Sequence, residues 1–139
     1  MTKTEQICAA ITAALTAAGL PVRADTDSPH SYEDPPVIVV VAGNEMPAPS
    51  SGVGYVYWDL QVALVIGATA ADTDPNPKLA PELIRAAAHA ALYQDRTLGG
   101  VALDIVAGSV NRQIDEENPA MGVTEAVYQI KYRQMEGSV

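Results

Sequence analysis

The stretch Tyr55–Ile66, YVYWDLQVALVI, places Val56, Trp58, Leu60, Val62, Leu64 and Ile66 on one side of an extended chain and Tyr55, Tyr57, Asp59 and Gln61 on the other. A period of two over this length predicts a β-strand with one core face and one polar, aromatic face. The end of the sequence repeats the pattern. From Val123 to Gln134, Ala126, Tyr128, Ile130 and Tyr132 alternate with Glu125, Gln129, Lys131 and Arg133. Upstream, Pro35 and Pro36 open a β-branched run, Val37–Ala42, whose continuity predicts a strand covered on both faces and placed centrally in a sheet. Asn44–Gly54, with its prolines, serines and glycines, reads as a long hairpin connection between these neighbours.

Two segments keep a helical period. Thr4–Ala18 sets Ile7, Ala10, Ile11, Ala14, Leu15 and Ala18 on one stripe, with Gly19 as a left-handed stop and Pro21 beyond it. Leu79–Tyr93 sets Leu83, Ile84, Ala87, Ala88, Ala91 and Leu92 toward the core, with Pro81 tolerated in the first turn. On that reading Glu82, Arg85, His89 and Tyr93 form a solvated helix face. Val22–Ala24 reads as a short edge strand, and Asp25–Asp34 and Ala68–Lys78 as polar surface loops. Val101–Ile114 reads as a strand leaving the core, followed by a polar turn over Asp115–Gly122. The order α-β-β-β-α-β-β predicts an α/β (α+β) fold: two helices on one face of a mainly antiparallel or mixed sheet of about five strands. Neither an internal repeat nor a linker divides the 139 residues, so one domain is expected over 1–139.

Composition narrows the function. Eight Lys and Arg against seventeen Asp and Glu give a formal charge of -9, and the cations are scattered, which disfavours tight nucleic-acid binding. The longest apolar run, Val37–Ala42, falls far short of the roughly 20 residues that cross a bilayer, and Met1–Gln6 lacks the basic start of an export signal. One cysteine, Cys8, permits no intrachain disulfide and suits a reducing compartment. It sits on an alanine-rich helix, where a buried or half-buried thiol is the expected role rather than a nucleophile.

Catalytic chemistry finds no foothold. His30 lies in a polar loop, and neither histidine is near Cys8 in sequence. Asp72, Asp74 and Asn76 resemble the opening of a calcium loop, but Pro77 stands where glycine is required and Leu83 where the bidentate glutamate is required. Asp115, Glu116 and Glu117 are adjacent acids in a turn, which normally face water. No phosphate cradle, zinc spacing or serine elbow occurs, so no catalytic residue, cofactor or metal site is expected. The informative feature is the sheet face opposite the helices, which should display Tyr55 and Tyr57 beside Val127 and offer a contact surface to another protein.

Together, these segments resemble the tail terminator family of long-tailed phages. The likeness runs through the first helix ending near Gly19, the proline-led strand from Pro36 through Gly43, Asn44 and Glu45, the Trp58-bearing strand, and the second helix. It continues in the strand leading to Arg112, the acidic turn Asp115–Glu117, and the closing Tyr128, Gln129, Ile130, Lys131 and Tyr132. The resemblance implies a structural virion protein of the phage tail that forms a homohexamer ring on the head-proximal end of the tail tube. Such a minor tail protein stops tube polymerisation and presents a head-tail joining surface to the connector protein, with no catalysis and no cofactor. DNA would pass through the channel without tight binding, and an acidic lining would keep phosphates from sticking. The implied contact or channel-facing residues are Glu45, Met46, Tyr55, Tyr57, Arg112, Asp115, Glu116 and Glu117. Two alternatives remain open: another head-tail completion protein bound on the portal or adaptor side, and an enzyme whose residues meet only on folding, which requires a deep pocket.

Overall fold

A computed structural model describes residues 1–23, 36–48, 54–70 and 76–135. Helix α1, Lys3–Ala17, starts on a capping box: the Thr2 hydroxyl accepts from the Glu5 N–H and the Glu5 carboxylate accepts from the Thr2 N–H. It buries Ile7, Ile11 and Leu15, one residue per turn, and stops where Gly19 takes a φ of 79° and Leu20 donates its N–H to the Leu15 carbonyl. The chain continues through β1 (Val22–Arg23), β2 (Val37–Pro47) and β3 (Tyr55–Thr69) to a short 3-10 turn, Pro77–Leu79, and α2 (Glu82–Tyr93). Strands β4 (Asp104–Ile114) and β5 (Met121–Met135) complete it. The result is the expected α+β arrangement, two helices and a five-stranded mixed sheet in the order β1-β2-β3-β5-β4, with β1 parallel to β2 and every other pair antiparallel.

Register explains the core. Ile66, Leu64, Val62 and Leu60 of β3 stand level with Thr124, Ala126, Tyr128 and Ile130 of β5, and all of them are buried. Both helices close over this face: Ile7, Ile11, Leu15, Ala88 and Leu92 join Ile38, Leu60, Val62, Leu64, Ile66, Ile105 and Ile130 in one apolar cluster. The reverse face is not bare throughout. Val37, Val39, Val65, Met121 and Val123 form a second buried cluster at the end where β2 and β5 begin.

Several boundaries and faces differ from the sequence reading. Strand β2 lies beside β1, not at the centre, which belongs to β3. It also runs on to Pro47, so Asn44–Pro47, expected to be loop, is strand, carried past a bulge between Ala42 and Glu45 by pairing with β3. The second helix is turned about its axis. Leu83, expected in the core, is 86% exposed, while Arg85, Ala88, His89 and Leu92 face inward to varying depth. The reason is tertiary: the sheet beneath α2 presents Tyr128 of β5 and Arg112 of the edge strand β4, polar groups that His89 and Glu82 satisfy. Gly122 of β5 gives the 3-10 turn its seat, because a Cβ there would overlap the Pro77 carbonyl and press on Pro81 Cδ at 3.0 Å. The loop Asp25–Asp34 with His30, and Asp72 and Asp74, lie outside the described residues.

Candidate functional site

The eight residues expected to form contacts divide between opposite ends of the sheet. Tyr57 stands level with Arg133 and Arg112 with Thr124, and those partners are nine residues, about 30 Å, apart along β5. No single site gathers them.

At one end, Met46, Tyr55 and Tyr57 share the face away from the helices. Met46 is 66% exposed beside Asp59, and Tyr55 is level with Met135, itself 64% exposed. The Arg133 guanidinium lies 4.7 Å over the Tyr55 ring, a cation–π contact that holds the ring in place while leaving it at the surface. One step toward the centre, Asp59, Lys131 and Asp104 form a row across three strands, and with Val106 and Gln129 they line an open concavity of about 200 Å³. That is smaller than the roughly 300–1,000 Å³ of small-molecule sites. Asp104 is also paired with Arg96 at 2.8 Å, so charges of both signs alternate over this surface. Val127 shares the face but lies six residues along β5 from Arg133, so it is not beside the tyrosines as expected.

Glu45 faces the other way. The bulge in β2 turns it to the helix side, where its carboxylate accepts from the Tyr132 hydroxyl and from Thr4 Oγ1 at 3.0 Å. Burial and the Glu45 carboxylate both push the Tyr132 phenol above its ordinary value. Glu45 is thus a tie between α1 and the sheet. Arg112 is similarly engaged: it donates to Glu82 Oε2 at 3.1 Å, while Arg85 holds Glu82 along the helix. The Arg85 hydrogen bond, joined by Arg112, lowers the Glu82 carboxyl to about 2. Beside this group the His89 Nδ1 and the Tyr128 hydroxyl share a hydrogen bond of 3.0 Å, and burial pushes Tyr128 up to about 12. The Glu82 to Arg85 spacing was visible in the sequence, but nothing there announced the partners on β4 and β5.

The acidic turn forms the tip of the β4–β5 hairpin. Asp115 donates its N–H to the Met121 carbonyl and Met121 donates to the Asn118 carbonyl, while Glu116 and Glu117 project as exposed residues. Cys8 is half-buried, and burial pushes its thiol up, away from the reactive thiolate. Among the described residues no group of His, Cys, Asp and Glu is arranged to hold a metal ion. No described helix is long and apolar enough to cross a membrane.

No protein-family model matches the chain, and no curated protein matches it in sequence.

Proposed function

We propose that this chain is a structural tail terminator: a ring that caps the head-proximal end of a phage tail tube, stops its polymerisation and presents a surface to the head connector. The observation that carries this reading is the exposure of long strand segments that lie outside the buried core. Ala42–Pro47 of β2 is exposed throughout, and so is every residue of β4 from Val106 to Ile114 except Val110. Strands held out from a core offer a neighbour both backbone and side chains. The Met46, Tyr55, Tyr57 and Met135 surface has the methionine and tyrosine content that marks contact surfaces, with Arg133 stacked in it. The exposed acids at the hairpin tip, Glu116 and Glu117, suit a channel that DNA must traverse without adhering.

The test has two arms. The mass in solution, measured by light scattering, is expected to be six times that of the 14.6 kDa chain. Added to polymerising tail tube protein, the chain is expected to stop elongation and to be found at one tube end. Capture by a portal or adaptor instead would assign it to the neck, and a monomer at every concentration that leaves tube length unchanged would refute the proposal.

A further inference from the structure

Strand β4, at one edge of the sheet, and β2, bordered at the other by the two-residue β1, carry matching defects. In β2 the register slips between Ala42 and Glu45, so that Gly43 and Asn44 oppose the single residue Gln61 of β3. In β4 it slips between Ala107 and Val110, so that Gly108 and Ser109 oppose the single residue Val127 of β5. Each bulge begins with a glycine whose missing Cβ would crowd the opposing carbonyl oxygen: Gln61 O at 3.3 Å from Gly43, Val127 O at 3.1 Å from Gly108.

Among the described residues, each of these strands is capped on one side of its bulge and uncapped on the other. On β4, the Ile105 N–H is taken by the Asp104 carboxylate at 2.9 Å and the Ala107 N–H by the Tyr93 hydroxyl at 2.8 Å. Beyond the bulge, among the described residues, no side chain bonds to the backbone of Val110–Ile114. On β2, Ala48 donates to the Tyr57 carbonyl of β3, so the preceding residue, Pro47, faces outward and brings no N–H. On the other side of that bulge, among the described residues, β1 pairs with Ile38 and Val39, and the Ile38 N–H points outward to the Pro21 carbonyl. By alternation, Val40 and Ala42 point their N–H groups outward too.

Direction and parity also agree. In the order β2-β3-β5-β4 the three pairings are antiparallel, so β4 runs opposite to β2. A second copy placed alongside with its helices on the same side therefore brings its β2 antiparallel to β4. Setting bulge against bulge pairs Val110 with Ala42 and Arg112 with Val40. All four belong to the helix-side rows, so no residue changes face.

We propose that β4 of one copy pairs with β2 of a second copy over Val110–Arg112 and Val40–Ala42, bulge against bulge. The seam is head-to-tail, so it generates a ring when the rotation closes and a filament when it does not. This deepens the ring reading, and rests on it for closure, by naming the subunit interface. The glycine bulges and the capped halves keep other strands from adding at arbitrary registers, which is the usual guard on an exposed edge.

The seam predicts which cysteines meet. Val41 and Asn111 fall opposite each other at a pair without hydrogen bonds, where Cβ atoms approach to about 4.5–5.5 Å. With Cys8→Ala as the background, copies carrying Val41→Cys and copies carrying Asn111→Cys are mixed and oxidised. A disulfide-linked dimer is expected from the mixture, not from either copy alone, and a ladder from the double variant. Val41→Cys mixed with Gln113→Cys, two residues out of register, should link far less. A particle of sixfold mass that shows no Val41–Asn111 link overturns the seam and leaves the ring standing. Linked particles that grow without limit support the seam and overturn the ring. A monomer without links overturns both.

Discussion

The two halves of this sheet do different work although the same strands run through both. Where β2 and β5 begin, both faces are shut: Ile38 and Ile66 lie under the helices, and Val37, Val39, Met121 and Val123 fill the reverse side. Toward Pro47, Tyr55 and Met135, only one face is covered, and the other displays Met46, Tyr55 and the Asp59–Lys131–Asp104 row. Strand β3 is buried from Val62 to Ala68 apart from Ala63, and half-buried or exposed from Tyr55 to Asp59. The doubly covered half supplies stability, and the projecting half supplies surface.

Equivalent truncations at the two ends would break that comparison most directly. Ile66→Ala, at a fully buried site, should cost about 2–5 kcal/mol, whereas Tyr55→Ala, which loses the contact with Arg133, should cost no more than about 1 kcal/mol; urea denaturation of both variants decides it. Similar losses at the two positions would show that the projecting half belongs to the core.

Backbone contact in the closed half gives the next effect. Gly122→Ala forces β5 against Pro77 and Pro81, and should destabilise by about 1–3 kcal/mol, visible as a lower melting temperature. A neutral result would mean that the 3-10 turn rides loosely on the sheet.

Thr124 sharpens the picture from the opposite sign. It is fully buried in the same half, and among the described residues its hydroxyl has no hydrogen-bond partner. Thr124→Val removes an unsatisfied polar group at nearly constant volume and should stabilise by about 1 kcal/mol in the same denaturation experiment. A loss of stability would reveal a partner for the hydroxyl.

The smallest effect concerns Glu82. Its carboxyl titrates lower in the folded chain than in the unfolded one, so the unfolded state takes up the proton first as the solution is acidified. The contribution is therefore complete above the ordinary carboxyl range near 4.5 and disappears as pH falls toward about 2. Because the side chain is one-third exposed, screening keeps it below about 1 kcal/mol. Glu82→Gln should flatten the stability profile only between those two values and leave it unchanged at pH 7 in slope. A change of slope near neutrality would point to a different group.

Much of this was legible from local pattern. The alternation in Tyr55–Ile66 and Val123–Gln134 assigned both strand faces correctly, because a pleated strand buries every second residue whatever its neighbours are. Gly19 marked the end of α1, because few other residues enter a left-handed turn without strain. The site was less legible. Glu45 and Arg112 resemble free surface charges in the sequence, but Tyr132, Thr4 and Glu82 engage them, and those contacts join residues up to 87 positions apart. Leu83 misled for the same reason: helical period places a stripe but does not say which stripe a polar sheet edge will accept.

By itself, the sequence determined the element types, the two helices on a single sheet, the acidity of the surface and the polar, aromatic face of β3, since each follows from short-range periodicity and charge. Only the tertiary structure decided the rotation of α2, the order of the strands, the capping of β4 by Tyr93 and the equivalence of the two edge bulges. Those features depend on register between distant strands, where one inserted residue shifts every later pairing and no local pattern records the shift.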